Sequence, residues 1–198
     1  MYAPYSFQND PQILEKGMHS ESLALSNGLN DQFEPDKYAY VDVTYRYGLG
    51  RKLDAAFHWG LNQRGGFYYG ADTQYQLVEG DANAALNLGL SSTARLEWDI
   101  EEIAPFYFPF DKDLIRVAGV HPGIQLGLGE TFIGLTHNSF YSTNKDENPY
   151  HVDNYVTLNV GHWFTWKGTF APELVLLYDN QNDFQPSVWL RLRFKATR

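Results

Sequence analysis

Between Lys37 and Leu90 the chain alternates apolar and polar residues with a period of two, through four successive segments. In the first, Ala39, Val41, Val43 and Tyr45 share one face, and Tyr40, Asp42, Thr44 and Arg46 share the other. In the second, Leu53, Ala55, Phe57 and Trp59 oppose Asp54, Ala56, His58 and Gly60. The third sets Phe67, Tyr69, Ala71, Thr73, Tyr75 and Leu77 against Tyr68, Gly70, Asp72, Gln74 and Gln76. The fourth sets Ala84, Leu86, Leu88 and Leu90 against Ala85, Asn87 and Gly89. A period of two predicts strands with two unlike faces. The connectors GLGRK, NQRGG and VEGD are short and carry glycine, which predicts antiparallel hairpins.

The pattern extends in both directions. A faint first strand is predicted over about Gly17 to Leu25. It follows an aperiodic stretch, residues 1–16, which contains Pro4 and Pro11 and reads as an N-terminal tail or plug. After the fifth strand come about two dozen residues without a period. Further strands are predicted over about Leu114–Leu128, Thr131–Ser142, Asp153–Trp166, Phe170–Tyr178 and Ser187–Lys195, with Pro122 marking a bulge or an early start of pairing in the first of these. Connector lengths alternate. GLGRK, VEGD, GLGE and KGT follow the even strands, whereas SNGLNDQFEPD, NQRGG, the long segment of residues 92–113, TNKDENPYH and DNQNDFQ follow the odd ones. One end of the protein therefore gathers turns and the other gathers loops. An even strand count puts both termini at the turn end, the asymmetry of bacterial membrane barrels. The expected fold is all-β: an antiparallel up-and-down transmembrane β-barrel of about ten strands over residues 17–198.

Alternation alone leaves open which face points inward. A soluble barrel turns its polar face to water and fills it with Lys and Glu. Here that face carries Gly60, Gly70, Gly89, Gly127, Gly161, Ala56, Ala85, Asn87, Thr157 and Asn159, small neutral residues suited to a crowded polar interior. Aromatics such as Tyr45, Tyr47, Trp59, Tyr69, Tyr75, Phe164, Trp166 and Phe194 gather near strand ends, as in membrane girdles. No run of 18 apolar residues exists, so no transmembrane helix is expected. Mean hydropathy is -0.42, a value that strands apolar on one face only can give. A net charge of -9 argues against nucleic-acid binding. The absence of cysteine excludes disulfides and thiolate metal sites. The six histidines show no HxH or HExxH spacing, so no metal site and no cofactor is expected.

The run YRYGLGRKLDAAFHWG, followed by GADTQYQLVEGDANAALNLGL, resembles the hairpins of small Gram-negative outer-membrane β-barrel proteins. The resemblance covers most of the chain from Gly17 onward. It implies a bacterial outer-membrane location with both termini periplasmic, and contact with outer-membrane lipid and lipopolysaccharide. Such barrels often end in Phe. This chain ends LRFKATR, leaving Phe194 to serve as the assembly aromatic.

Two constellations carry candidate chemistry. Asp42, Arg46, Asp54, Asp72, Glu173, Arg191, Arg193 and Lys195 fall on the inward face, where opposite charges should pair because an unpaired buried charge is costly. A plug of ion pairs implies a structural role, an envelope scaffold or a subunit of an envelope assembly, and a narrow pore is the alternative. The long loop, with Trp98, Glu101, Glu102, Phe106, Tyr107, Phe108 and Phe110, is the expected surface for other envelope proteins, along with the periplasmic side. The second constellation is His137 and Ser139, two residues apart on one strand face. A Ser–His pair is a hydrolase arrangement, and its HxS spacing is similar to that of PagL-type lipid A deacylases. Those continue HxSN, whereas Phe140 follows here, and three strands lie beyond the motif. The sequence therefore points to no enzymatic activity, with the deacylase as the alternative.

Overall fold

The computed structural model describes residues 11–29, 35–62, 66–95, 116–142, 152–165, 168–179 and 186–198. The strands are β1 (His19–Leu29), β2 (Pro35–Gly48), β3 (Leu53–Asn62), β4 (Gly66–Val78), β5 (Ala82–Arg95), β6 (Arg116–Leu128), β7 (Thr131–Ser142), β8 (Val152–His162), β9 (Phe164–Thr165), β10 (Thr169–Asp179) and β11 (Pro186–Thr197). Each pairs antiparallel with its neighbour, and β11 returns to β1 from Ser20 opposite Thr197 to Leu29 opposite Val188. β8 and β9 are one stave, because Glu173 opposite Gly161 and Phe170 opposite Phe164 keep a single register with β10. Among the described residues the fold is thus a closed, up-and-down antiparallel barrel of ten staves. Closure leaves no sheet edge with unpaired backbone groups.

Several boundaries differ from the sequence reading. β1 runs on to Leu29, β2 begins at Pro35 and β5 reaches Arg95. The expected loops SNGLNDQFEPD and 92–113 are therefore partly strand. Ser26, Asn27, Gly28, Ser92 and Thr93 have little hydropathic contrast, so the period fades although the backbone stays extended. The bulge expected at Pro122 is absent. The β6–β7 ladder pairs Val120 with Ser139, skips two positions and resumes at Gly123 with Thr136 in the same register. A missing N–H interrupts a ladder without adding a residue to it. The same happens where Pro172 and Ala171 lie opposite His162 and Trp163.

The faces are those of a membrane barrel. Leu88 is 52% exposed and Leu90 58%, whereas Asn87 between strand neighbours is 4% exposed and Ala85 is fully buried. Leu23, Leu25, Val41, Phe57, Leu86, Ile133, Leu135 and Leu190 are exposed as well. Water would make such a wall costly at roughly 25 cal/mol per Å² of apolar surface, so hydrocarbon is the solvent that fits it. At the turn end, residues 11–16 enter the barrel mouth. Leu14 is buried there, and the chain passes so close to β2 that a Cβ at Gly48 would meet the Glu15 carbonyl.

Leu88 lies near the middle of β5 and separates a lipid-facing wall from a dry core. Leu88→Arg should cost about 2–4 kcal/mol in a bilayer. Leu88→Ala traps no cavity, so it should fall below the roughly 2–5 kcal/mol of a core truncation. Equilibrium unfolding in lipid vesicles measures both, and a Leu88→Ala loss above about 3 kcal/mol would mean the wall is a core.

Candidate functional site

The lumen is built from inward residues whose short neighbours leave room for long ones. Arg46, Ala56 and Asp72 lie in one row across β2, β3 and β4. The alanine lets the guanidinium pass over β3. Arg46 bonds Asp54, and its Nη2 donates to Asp72 Oδ1 at 2.8 Å. His58 Nε2 meets the other Asp72 oxygen, and Thr44 Oγ1 lies 2.9 Å from His58 Nδ1. Asp54 also accepts from the backbone N–H of Leu14 at 3.2 Å. Gln76 accepts from Ile13 N–H at 3.0 Å and donates to the Pro11 carbonyl at 3.1 Å. The N-terminal segment is thereby tied into the same network as the strands.

Across the barrel Arg191 Nη2 donates to Asp42 Oδ2 at 2.6 Å, passing over the small Ala24 and Ser26 of β1. Arg193 Nε lies 2.9 Å from Glu173 Oε1. Lys195 Nζ sits 5.4 Å from the Trp163 ring centroid, a cation–π distance. Every charged residue the sequence put on the inner face is therefore held there, and all seven acids and arginines form cross-strand ion pairs. Gln74, Gln125, Asn138, Asn159, Thr136 and Thr157 fill the middle with almost no exposure. Toward the loop end Tyr40 packs on Trp189 at 5.4 Å and Phe140 on Tyr155 at 5.5 Å, joined in one cluster with Tyr68 and Val175. A cavity of about 860 Å³ is lined by Tyr40, Glu173 and Arg191 together with outward residues such as Leu25, Val41 and Leu190.

His58 and His121 are working members of this interior that sequence reasoning passed over. His121 is fully buried, 2.7 Å from Ser91 Oγ through Nε2 and 2.8 Å from Asn138 Oδ1 through Nδ1. The available signal was their dyad position, because His58 shares a face with Asp54. No group of three or more His, Asp or Glu side chains is arranged to hold a metal ion among the described residues.

On the outer wall His137 and Ser139 point away from the lumen, with Ser139 Oγ 3.0 Å from His137 Nε2. A third residue joins them that the sequence did not single out. Asn154 of β8 lies directly opposite Ser139, and its Oδ1 accepts from Ser139 Oγ at 2.8 Å. The three form a polar notch between apolar residues. Ile133 and Leu135 lie on the turn side, and Val120 and Leu90 continue the Ser139 row across β6 and β5. Tyr141, two residues further along β7, shares a row with Ala118, Ser92, Tyr69 and Trp59. Trp and Tyr in such a row mark a membrane interface. The notch lies about 7 Å along the strand from Tyr141, in the half of β7 nearer the loops. Trp98, Glu101, Glu102, Phe106, Tyr107, Phe108 and Phe110 lie outside the described residues.

No family model matches the chain, and no curated protein matches it. Among solved structures it is similar to a membrane protein from a study of in-meso crystallisation, at 10% identity and a TM-score of 0.47 over 91% of this chain and 83% of that one. It is also similar to a double variant of OccD1 (OprD), at 8% identity and 0.38 over 92% and 66%. Ail, the attachment invasion locus protein of Yersinia pestis, aligns at 14% identity and 0.27 over 91% and 99%.

Arg46 tests how far the lumen depends on pairing. Arg46→Met leaves Asp54 and Asp72 buried without their cation and should cost about 3–5 kcal/mol. Adding Asp54→Asn and Asp72→Asn to that variant should return most of the loss. Unfolding in vesicles with urea gives both values. Equal stability of the single and triple variants would show that charge pairing is not what the lumen requires.

Proposed function

We propose that this chain is a bacterial outer-membrane barrel with periplasmic termini, and that its working surface is the outer wall, where Ser139 and His137 cleave an acyl ester of an outer-leaflet lipid. The observation that carries this reading is the 3.0 Å contact between Ser139 Oγ and His137 Nε2 on a lipid-facing strand. Polar side chains in a hydrocarbon-facing wall are costly and tend to be kept for function. Three of them, bonded to one another just inside the aromatic row, lie where lipid ester groups reside. The apolar band supports the membrane location, and the short turns beside His19 and Arg198 support the orientation.

The chemistry needs one hydroxyl proton to move. As Asn154 stands, its Oδ1 accepts a hydrogen bond from that hydroxyl. Turning its amide by half a turn brings Nδ2–H to Ser139 Oγ and frees the hydroxyl to donate to His137 Nε2. Amide orientation is decided by such networks. The Ser139 oxygen then attacks the acyl carbonyl while His137 accepts the proton, and the Asn154 N–H supports the developing oxyanion. The lipid alcohol leaves with the proton from His137. Water, deprotonated by the same imidazole, releases the fatty acid and restores the serine.

A second reading, a structural envelope barrel, is supported by the filled lumen. Aromatic side chains pack toward the loop end, and residues 11–16 are bonded into the turn end. A narrow channel fits this interior least.

Mass spectrometry of fatty acid released from lipid A and from phospholipid vesicles distinguishes these readings. Wild type should release acid from one of them. Ser139→Ala should abolish release, and His137→Ala should lower it about 100-fold or more. No release by folded wild type from either lipid would leave the structural reading. In planar bilayers the protein should give no stepwise conductance, and steady ion-selective steps would restore the channel.

A further inference from the structure

We infer that the His121–Asn138 bond inside the barrel is the tie that holds β6 to β7 behind His137, and so positions the outer Ser–His pair. The backbone pairs Gly119 with Phe140 and Val120 with Ser139, then nothing until Gly123 with Thr136. The two skipped positions are His121 opposite Asn138 and Pro122 opposite His137. Backbone rungs are missing there, and a side-chain bond spans the same two strands at the same level. His121 Nδ1 lies 2.8 Å from Asn138 Oδ1, with both residues fully buried.

The direction of that bond follows from its neighbours. Asn138 Nδ2 donates to the Thr136 carbonyl and to Thr157 Oγ1, each at 3.4 Å, so Oδ1 is the acceptor. His121 therefore donates from Nδ1 and accepts at Nε2 from Ser91, 2.7 Å away. The relay Ser91–His121–Asn138–Thr157 links β5, β6, β7 and β8 across neighbouring rows, because Ser91 pairs with Gly119 and Thr157 with Thr136. Phe140 presents an edge to His121 at 5.1 Å and closes it from the loop side. Strand alternation does the rest. Asn138 points inward between His137 and Ser139, which both point outward. A β7 free to twist at Asn138 would swing both outer side chains. Asn138 and His121 are positioning residues and touch no lipid.

The effect on reactivity rests on the hydrolase reading, but the tie itself does not. Backbone hydrogen exchange in detergent micelles reads the tie alone. Asn138→Ala should speed exchange at Val120 and Gly123 about tenfold, the loss of one neutral hydrogen bond, with the β3–β4 seam unchanged. Asn138→Asp keeps the acceptor and should restore protection. If Asn138→Ala does not fold, His121→Phe keeps the ring against Phe140, loses its bonds and should give the same rise. Unchanged exchange at the β6–β7 seam would overturn the tie. Labelling of Ser139 by a fluorophosphonate reads the positioning. The second-order rate should drop about tenfold in Asn138→Ala and recover in Asn138→Asp. A wild-type rate in Asn138→Ala would overturn it. Absence of labelling in wild type would sink the hydrolase reading and leave the exchange result to judge the tie.

Discussion

Hydrogen bonding between β1 and β11 is the constraint on which the rest of the structure depends. In hydrocarbon every backbone N–H and C=O needs a partner within the protein, so an open sheet cannot persist there. The His19 N–H donates to the Arg198 carbonyl at 3.0 Å and the Arg198 N–H to the His19 carbonyl at 2.9 Å, which locks the seam at the turn end. Closure at ten staves then fixes a narrow interior. A narrow interior cannot hold bulk water, so its charges must find one another. The pairs Arg46 with Asp72 and Arg191 with Asp42 follow from that confinement. They span strands where the intervening residue is Ala56, Ala24 or Ser26, because a longer side chain would block the reach.

The strand count, the antiparallel connectivity and the choice of inner face were legible in the sequence, each for a physical reason. Alternation at Leu86, Leu88 and Leu90 is strong because lipid favours apolar residues at outward positions. The inner face was recognisable from its glycines, alanines and amides, which confinement selects over lysine and glutamate. Strand ends were less legible where that contrast fades, as at Ser26–Leu29 and Ser92–Arg95. Pairing partners were not legible at all. Arg191 and Asp42 lie 149 residues apart, and only barrel closure brings them together. For the same reason His137 and Ser139 could be read from one strand, whereas Asn154 required the β7–β8 register.

The two prolines show how a closed sheet tolerates residues that cannot donate. Proline in a sheet is ordinarily confined to edges or bulges, and this barrel has neither at Pro122 or Pro172. In each case the ladder lapses for two positions and resumes in register. At Pro172 the lapse faces β10, while the neighbouring Trp163 N–H bonds on the other side of its stave, to the Glu130 carbonyl at 2.9 Å. At Pro122 it lies beside His121, whose side chain bonds across the seam. The lapse at Pro122 is thus spanned by a side chain.

A braced lumen and the proposed Ser–His site on the outer wall are consistent parts of one design. A barrel that conducts must leave its interior polar groups to water, and they then cannot brace the wall. Here the amides, histidines and ion pairs brace it from within, so that outward side chains keep fixed positions relative to one another. A Ser–His contact of 3.0 Å across a single strand survives only if that strand does not twist. Lipid, which offers few hydrogen bonds of its own, cannot supply such rigidity from outside. Positional order on the lipid-facing surface has to come through the backbone from the lumen. At β7 that route runs from Asn138, held inside, to His137 and Ser139 on either side of it.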